Sequence, residues 1–385
     1  MKPVFRKIQP SVTMGLDQQA RELAAAGRDI INLTAGQVDL PMPDDGKEAI
    51  QKALEENRTG YVPATGSADV KSAVRTRMGW QEGEVLISAG AKPLLNAAVA
   101  CLCGPGDEVI LPAPCYTSYP EMVRLAGGSP VIVLGDTGQD FIVSGRTIEE
   151  HITDRTKAIL LNNPVNPTGA VYGREALQEI VDVCIAHDLY LIADEVYSSF
   201  VYAGEFVSLY RFPAIHERLI LVNSASKTYA MAGLRLGYCV APAPVAHAMG
   251  AYSSHALGCP CSLSERAALA VLAMDGDYER INRDIFRDRR DRLVEILSDI
   301  EGLAIKKNAG AFYLWINTSE MDDDVAFCQK LLDQEGVALT PGSAFCYPGY
   351  VRLAYTKDIS ILLEAADRLK RFVRENYSNS SGDSR

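Results

Sequence analysis

The feature that most constrains the fold is a regular alternation of short apolar runs with amphipathic segments, from about residue 47 to residue 260. The segments between the runs, such as 93–102 and 174–187, carry apolar residues at helical spacing. Strands and helices that alternate in this way form a parallel sheet covered by helices. We therefore predict an α/β fold with a mostly parallel seven-stranded sheet. Its predicted strands are EVLIS (84–88), DEVILP (107–112), SPVIVL (129–134), KAILLN (157–162), LYLIAD (189–194), RLILVN (218–223) and LRLGYCVA (234–241).

The pattern changes after residue 277. Residues 277–300 are rich in charge and predict a long helix, and isolated strands follow at 311–316 and 350–355 before an amphipathic helix at 358–377. This arrangement indicates a smaller α+β domain. We predict an N-terminal arm and part of the small domain in 1–45, a large domain in 46–280, a C-terminal small domain in 281–377 and a disordered tail in 378–385.

Composition and charge exclude several classes of partner. The chain has 385 residues, of which 48% are hydrophobic and 23% charged, as in a globular protein. A net charge of −11 disfavours nucleic acid, although a local basic site for a small anion stays possible. No apolar run reaches the length of a membrane span, and the N-terminus lacks the apolar core of a signal peptide. We expect a cytoplasmic protein with no membrane partner.

The cysteines and histidines do not predict a metal site. The nine cysteines are scattered, and the two Cys-x-Cys pairs, 101/103 and 259/261, lack the spacing of a zinc site. The five histidines are dispersed as well. Reduced and mostly buried thiols are the expected state of such cysteines in the cytoplasm.

Polar residues gather just after the predicted strands. The segments there read SAGAKP, PAPCYTSY, NNPVNPTG, ADEVY and NSASKTY. In open α/β sheets, ligands bind beyond the carboxyl ends of the strands. These segments therefore predict an active site along one edge of the sheet.

Lys227 is the first candidate for chemistry. It follows the strand RLILVN, and a lysine at a strand end can lose solvent, which lowers its pKa and makes it an amine nucleophile. A solvated loop lysine is the default alternative. Ser224 and Arg235 supply a hydroxyl and a cation nearby in sequence, which suits a phosphate monoester.

A second anion site is predicted at residues 88–93. Pro93 suits the first position of a helix, and the small residues before it allow backbone N–H groups to approach an anion. Many helices begin in this way. The glycine-rich motifs of nucleotide sites are absent from the sequence.

Three further candidates lie at strand ends. Asp194 closes its strand and, if buried, needs a cation such as a protonated pyridine nitrogen, although a helix N-cap is the alternative. Alternation along the strand directs Glu195 elsewhere. The two Asn-Pro steps around Asn166 fix a turn that presents its amide, and Tyr116 offers a flat face to an aromatic cofactor or simply belongs to the core.

These segments resemble a known family. The run SASKTYAMAGLRLGY (224–238) is similar to the lysine motif of pyridoxal-phosphate (PLP) aminotransferases of fold type I, classes I and II, and the branch it most resembles is the bacterial and archaeal aspartate aminotransferases. YVPATG (61–66), SAGAKPLL, NNPVNPTG, ADEVY and VRLAY resemble the family's other motifs, in its order. The resemblance extends from about residue 33 to residue 355.

The resemblance implies a role for each matching residue. Lys227 would hold PLP as a Schiff base and shuttle a proton, Asp194 would pair with the ring nitrogen, and Tyr116 would stack on the ring. Tyr197 and Asn166 would hydrogen-bond the ring hydroxyl. The residues implied for the phosphate are Gly90, Ala91, Lys92, Ser224 and Arg235, together with Tyr61 reaching from a partner subunit of a homodimer.

The resemblance also implies the substrates, an amino acid and a 2-oxo acid. Arg352 would clamp the substrate α-carboxylate, assisted by Asn166 and the backbone at Gly36. Aspartate with 2-oxoglutarate is favoured, with Lys92 reading the distal carboxylate and Thr13 on a flexible lid. The chain departs from the family's usual Gly-Glu-Pro-Asp at residues 36–39 (GQVD), which puts specificity in doubt.

Several rivals stay open. An aminotransferase for alanine, aromatic or other amino acids, a C–S lyase and a racemase use the same scaffold. A transcription regulator with such a domain needs an added DNA-binding domain, for which residues 1–33 leave no room. A Rossmann dehydrogenase lacks support because its glycine motif is missing.

Overall fold

The computed structural model describes residues 12–321 and 323–377. None of the helices in these ranges is both long and apolar enough to cross a membrane. The α-helices are α1 (Val12–Ala25), α2 (Asp44–Glu55), α3 (Ala68–Met78), α4 (Ala91–Leu102), α5 (Tyr119–Ala126), α6 (Gly145–Glu149), α7 (Arg174–Ala186), α8 (Ala225–Thr228), α9 (Ala243–Ala256), α10 (Ser262–Leu272), α11 (Asp277–Leu297), α12 (Asp324–Glu335) and α13 (Ile359–Tyr377). The short 3-10 helices are Thr137–Gln139, Leu209–Arg211, Pro213–Arg218, Ala232–Leu234 and Gly342–Phe345.

The strands form three sheets. The strands are β1 (Ile31–Asn32), β2 (Glu84–Ser88), β3 (Glu108–Ala113), β4 (Ser129–Leu134), β5 (Thr156–Asn162), β6 (Tyr190–Asp194), β7 (Leu219–Ser224), β8 (Gly237–Ala241), β9 (Ala304–Ile305), β10 (Tyr313–Asn317), β11 (Val337–Ala338), β12 (Thr340–Pro341) and β13 (Tyr350–Ala354). The large sheet has the order β2-β8-β7-β6-β5-β3-β4, and only β8 runs antiparallel to its neighbours. The predicted α/β fold with a mostly parallel seven-stranded sheet is confirmed.

The large sheet is buried on both faces. In β5, Ile159 and Leu161 belong to one apolar cluster, whereas Ala158 and Leu160 belong to a second cluster on the opposite face. Successive side chains of a strand point to opposite faces, so a sheet covered on both sides needs continuous apolar runs. The central strands therefore appear in the sequence as continuous apolar runs.

Several element boundaries differ from the prediction by a few residues, and the starts of β8 and α4 are two of them. Strand β8 begins at Gly237, not at residue 234, because residues 232–234 form a 3-10 turn and Arg235 has a left-handed backbone with φ 53°. Helix α4 begins at Ala91, so Pro93 is its third residue, not its first. The early N–H groups of a helix have no partner within the helix, so a proline is tolerated there.

The C-terminal part forms its own layer of sheet and helices. The order of its antiparallel sheet is β12-β13-β10-β9, and β1 pairs in parallel with β11, which joins an N-terminal segment to this region. Its apolar cluster includes Phe286 of α11, Phe327 of α12 and Phe372 of α13. The predicted domain limits stay a prediction, and the predicted tail at 378–385 lies outside the described residues.

Candidate active site

A cavity of about 300 Å³ lies at the carboxyl edge of the large sheet, where it meets the C-terminal sheet. All but two of the predicted site residues line it. Those that line it are Gly36, Ala91, Lys92, Tyr116, Asn166, Asp194, Tyr197, Ser224, Lys227, Arg235 and Arg352. No cluster of possible metal ligands is found within the ranges that the structure describes.

The other two predicted residues are Gly90 and Tyr61. Gly90 caps α4 with φ 105°, and a Cβ there would collide with the guanidinium of Arg235. It therefore adjoins the cavity through Arg235 although it does not line it. Tyr61 is fully exposed and does not line the cavity. Its predicted contact with a second subunit stays a prediction.

Lys227 is held at the base of the cavity by α8, directly after β7. Its Nζ donates a hydrogen bond of 2.5 Å to the carbonyl oxygen of Gly36. The residue is half-buried because it faces the cavity, yet burial of the amine lowers its pKa to about 8, with further lowering by the positive charges of Arg352 and Arg235. A substantial fraction of the amine is therefore neutral near pH 7 to 8 and can act as a nucleophile.

Asp194 lies at the end of β6 with 5% of its surface exposed. One carboxylate oxygen accepts a 2.6 Å hydrogen bond from the Tyr119 hydroxyl, and the other accepts from the backbone N–H of Val196 at 3.2 Å. No cationic side chain forms an ion pair with Asp194 in the described part of the chain. Burial raises its pKa to about 6, so a cationic ligand group would stabilise the ionised form.

Glu195 faces away from the cavity, as alternation along the strand predicts. Its oxygens accept hydrogen bonds of 2.8 Å from the Ser208 hydroxyl and the Leu209 backbone N–H. These bonds anchor the following loop. Of these two neighbouring acids, Asp194 is thus the one that faces the cavity.

Arg352 is a buried cation without an anionic partner among the residues that the structure describes. It sits on β13 with 3% of its surface exposed, and its guanidinium donates to Asn166 Oδ1 at 3.0 Å and to the carbonyl oxygen of Thr34. The Tyr313 and Phe345 rings lie 4.5 and 4.7 Å from it. Its Nε has no hydrogen-bond partner among the described residues. Such a guanidinium is suited to bind a carboxylate.

Several groups converge to form a cradle for a second anion. Arg235 reaches the start of α4, where its Nη atoms donate only to the carbonyl oxygens of Ala232 and Ala89, at 2.9 and 3.2 Å, among the described residues. Ser224 ends β7 on the same side of the cavity. A helix N-terminus, a hydroxyl and a guanidinium together suit a phosphate group.

Aromatic side chains form one wall. The Tyr116 ring packs edge-on against Tyr119, with centroids 5.5 Å apart, and Lys92 Nζ lies 5.3 Å from the Tyr116 centroid. Across the cavity the hydroxyls of Tyr197 and Tyr313 are hydrogen-bonded at 2.8 Å. Lys92 is exposed at the mouth, so both the predicted role and the alternative of a surface lysine agree with its position.

Some residues that shape the site were not predicted from the sequence. Tyr119 donates to Asp194, Tyr313 pairs with Tyr197, and Asn162 holds both the Asp194 carbonyl at 2.8 Å and the Asn166 N–H at 2.7 Å. Each stands inside a segment that was noticed, but no local signal distinguishes these roles. Residue 13 falls within α1, and its side chain lies outside the described residues.

Known proteins that this chain resembles in sequence and in structure are aminotransferases. A sequence model of the family "Aminotransferase class I and II" matches residues 28–369. The chain is 35% identical to the aspartate/prephenate aminotransferase of Cereibacter sphaeroides, over 97% of this chain and 98% of that protein, and 34% identical to the aspartate aminotransferase of Bacillus subtilis, over 96% and 98%. A structure of the Thermus thermophilus aspartate aminotransferase with maleate superposes with a TM-score of 0.92 at 35% identity, covering 96% of this chain and 99% of that one.

Proposed function

The chain belongs to the class I and II aminotransferase family and is a PLP-dependent enzyme, and from that premise we propose that it transfers the amino group of L-aspartate to 2-oxoglutarate, giving oxaloacetate and L-glutamate. The observation that carries the choice of substrate is a pair of cations at separate points of the cavity. Arg352 is buried without an anionic partner among the described residues, and Lys92 lies at the mouth. Aspartate and 2-oxoglutarate each carry two carboxylates, which two such cations can bind.

The residues present fit PLP. The buried Asp194 carboxylate lacks a cation among the described side chains, the Tyr116 ring provides a flat face, and the cradle around Arg235 is free to take a phosphate. When bound, PLP supplies an electron sink for the electron pair left when the substrate Cα loses its proton. Asp194 would hold the proton on the ring nitrogen, which keeps that nitrogen cationic.

The chain's own groups would perform the remaining tasks. Lys227, with its lowered pKa, would bind the cofactor covalently and, when its amine is free, carry the proton to and from the substrate Cα. Arg352 would fix the substrate α-carboxylate with a bidentate pair. The Tyr197 hydroxyl and the Asn166 amide would donate to the cofactor ring hydroxyl and hold its tilt.

A homodimer with shared active sites, located in the cytoplasm, belongs to the same proposal. The support for the dimer is the full exposure of Tyr61 and an apolar groove beside the mouth of the cavity. Leu125 and Leu257 are exposed there, and Tyr252 and Lys92 complete the groove. A second subunit seated on this groove would cover these apolar side chains and bring a second Tyr61 toward the phosphate cradle.

Product analysis with substitution of Lys92 tests the substrate assignment. With aspartate and 2-oxoglutarate, glutamate and oxaloacetate should form in equal amounts. Lys92→Gln should lower kcat/KM for aspartate by about tenfold or more, because a charge-assisted bond to the distal carboxylate is worth about 1.5–3 kcal/mol. The same variant should leave kcat/KM for alanine nearly unchanged, since alanine has no distal carboxylate.

The alternatives give different products. Pyruvate and ammonia from cysteine-type substrates would indicate a C–S lyase. Conversion of an L-amino acid to its D form without a 2-oxo acid acceptor would indicate a racemase. Faster turnover of alanine or an aromatic amino acid than of aspartate would overturn the substrate assignment. Lys157→Gln, at the opposite edge of the sheet, is the matched control for loss of a lysine charge.

A further inference from the structure

Two cysteines lie together where the segment of Tyr116 meets the β12–β13 hairpin. Cys115 follows β3 and directly precedes Tyr116, whereas Cys346 follows the 3-10 turn Gly342–Phe345 in the C-terminal sheet region. The backbone N–H of Cys115 donates to the carbonyl oxygen of Phe345 at 3.1 Å, and the two thiols hydrogen-bond to each other. Each cysteine therefore adjoins a residue of the site, since Phe345 packs on the Arg352 guanidinium.

The two thiols are chemically unequal. Cys346 is half-buried, and its pKa falls to about 7, first because Cys115 donates a hydrogen bond to its sulfur and then because of the Arg124 charge, against the opposing effects of burial and Glu121. Cys115 is buried, and the shared hydrogen bond and burial raise its pKa well above the usual range. The pair thus combines a reactive thiolate within reach of small solutes and a protonated thiol behind it.

Most other thiols of the chain lack this chemistry. Burial raises the pKa of Cys103 to about 11 and that of Cys184 and Cys239 to about 12. The exposed Cys261 is the exception, because hydrogen bonds from the start of α10 lower its pKa against the effect of burial. Cys261 is therefore a natural internal comparison.

We propose that Cys346 and Cys115 are a modification site, at which peroxide forms a reversible disulfide. This bond would join the segment of Tyr116 to the β12–β13 hairpin, which carries Arg352. The contact between the two thiols and the backbone hydrogen bond beside it bring the two cysteines together in the fold. In a reducing cytoplasm such a bond is transient, as regulatory disulfides are.

Hydrogen peroxide is the oxidant, and the steps balance. The Cys346 thiolate attacks one peroxide oxygen, the O–O bond breaks, and hydroxide leaves, so that Cys346 becomes a sulfenic acid and the peroxide is reduced. The Cys115 sulfur then attacks the Cys346 sulfur, the S–O bond breaks, and water leaves with the Cys115 proton. A dithiol reductant reverses the reaction by thiol–disulfide exchange.

The bond should change catalysis because both cysteines adjoin site residues. An S–S bond of about 2.05 Å is much shorter than a hydrogen bond between thiols, so its closure draws the segment of Tyr116 toward the hairpin that carries Arg352. Displacements of about 1 Å at a site can lower rates about a hundredfold. We expect at least about a tenfold loss of kcat/KM.

The test uses the reduced, cofactor-loaded protein. It is treated with hydrogen peroxide, free thiols are alkylated after unfolding, and the digest is mapped by mass spectrometry. We expect a cross-linked peptide pair joining Cys115 to Cys346, with two hydrogens fewer than the reduced peptides, and its disappearance together with recovery of activity after dithiothreitol. This covalent readout is independent of whether aspartate is the substrate.

Two variants complete the experiment. Cys346→Ser should abolish the cross-link and leave Cys115 open to alkylation, whereas Cys261→Ser should retain both the cross-link and the loss of activity. The proposal is wrong if the treated wild-type protein carries free Cys115 with Cys346 trapped as a sulfinic acid. It is equally wrong if the cross-link joins Cys259 to Cys261 instead. Both outcomes are measured on the wild-type protein, so neither depends on whether a variant folds.

Discussion

The carboxyl edge of the large sheet and its amino edge bear similar charged side chains but hold them differently. At the amino edge, Glu108 accepts hydrogen bonds from Arg155 at 2.5 and 2.9 Å, and His187 contacts Glu149 at 2.7 Å. At the carboxyl edge, Asp194 and Arg352 are buried and form no ion pair within the described residues. Both edges border a cavity.

The difference identifies the edge that binds a ligand. Paired charges near solvent are already satisfied and contribute little, whereas a buried charge without a partner costs free energy that a ligand of opposite charge can recover. At the carboxyl edge, Asp194, Arg235 and Arg352 form no ion pair within the described ranges, and they match a pyridinium, a phosphate and a carboxylate respectively. The presence of a cavity does not by itself identify the edge that binds a ligand. The amino edge has a cavity too, but it is lined by residues in ion pairs, such as Arg218 and Glu149.

The largest effect is expected for Lys227→Ala. The variant removes both the amine that binds the cofactor covalently and the group that moves the proton, so kcat should fall by about 10,000-fold or more. Initial rates with aspartate measure the loss, and borohydride reduction followed by peptide mapping identifies the attachment site in the wild-type protein. Labelling at any lysine other than Lys227 would contradict the assignment. Lys157→Ala, at the amino edge, should change kcat less than about twofold.

Asp194→Asn comes next in size. The amide keeps the shape of the side chain but loses the charge that would hold the proton on the cofactor ring, so kcat should fall by about 100- to 1,000-fold. Steady-state rates and the affinity for PLP measure the change. Asp188→Asn, at the amino edge, is the matched control and should keep near-normal rates. Equal losses in the two variants would remove the distinction between the edges.

The pH dependence of PLP uptake tests the lowered pKa of Lys227 at the carboxyl edge. Only the neutral amine of Lys227 reacts, and its pKa of about 8 means that the neutral fraction rises about tenfold per pH unit below 8 and levels off above it. The rate at which the cofactor-free protein takes up PLP, followed by absorbance between pH 6 and 9, should show this bend. A flat profile would contradict a lowered pKa.

Arg352→Met tests the cause of that bend. The positive charge of Arg352 is the largest effect after burial that lowers the pKa of Lys227. Its removal should move the bend to higher pH. A bend that stays in place would show that the charge of Arg352 does not set the pKa of the amine.

The sequence predicted the large sheet closely because its strands are covered on both faces and read as continuous apolar runs. It missed β1, β9, β11 and β12, each only two residues long and too short to show a period. It placed one C-terminal strand at 311–316, whereas β10 spans 313–317, because Ala311 has a left-handed backbone with φ 54° that cannot continue a strand.

The site was predictable to the extent that its groups follow strands. Lys227, Asp194 and Ser224 could be found in that way, and the family resemblance added Arg352. The contacts of Tyr119 and Tyr313 could not be found, because they depend on which segments meet in three dimensions. The meeting of Cys115 and Cys346 is of the same kind, since 231 positions separate them in the chain and only the fold brings them together.

The smallest effect is expected at the amino edge itself. Arg218 contacts Asp188 and lies 5.7 Å from the Tyr190 ring centroid, but the Asp188 side chain is 81% exposed. Arg218→Ala should therefore lower the free energy of unfolding by less than about 1 kcal/mol, and by less still at high salt, because solvent and ions screen an exposed pair. Urea denaturation at low and high salt measures the difference. A loss of several kcal/mol, or a fall in kcat comparable to that of Asp194→Asn, would mean that the paired charges at this edge matter as much as the unpaired ones opposite.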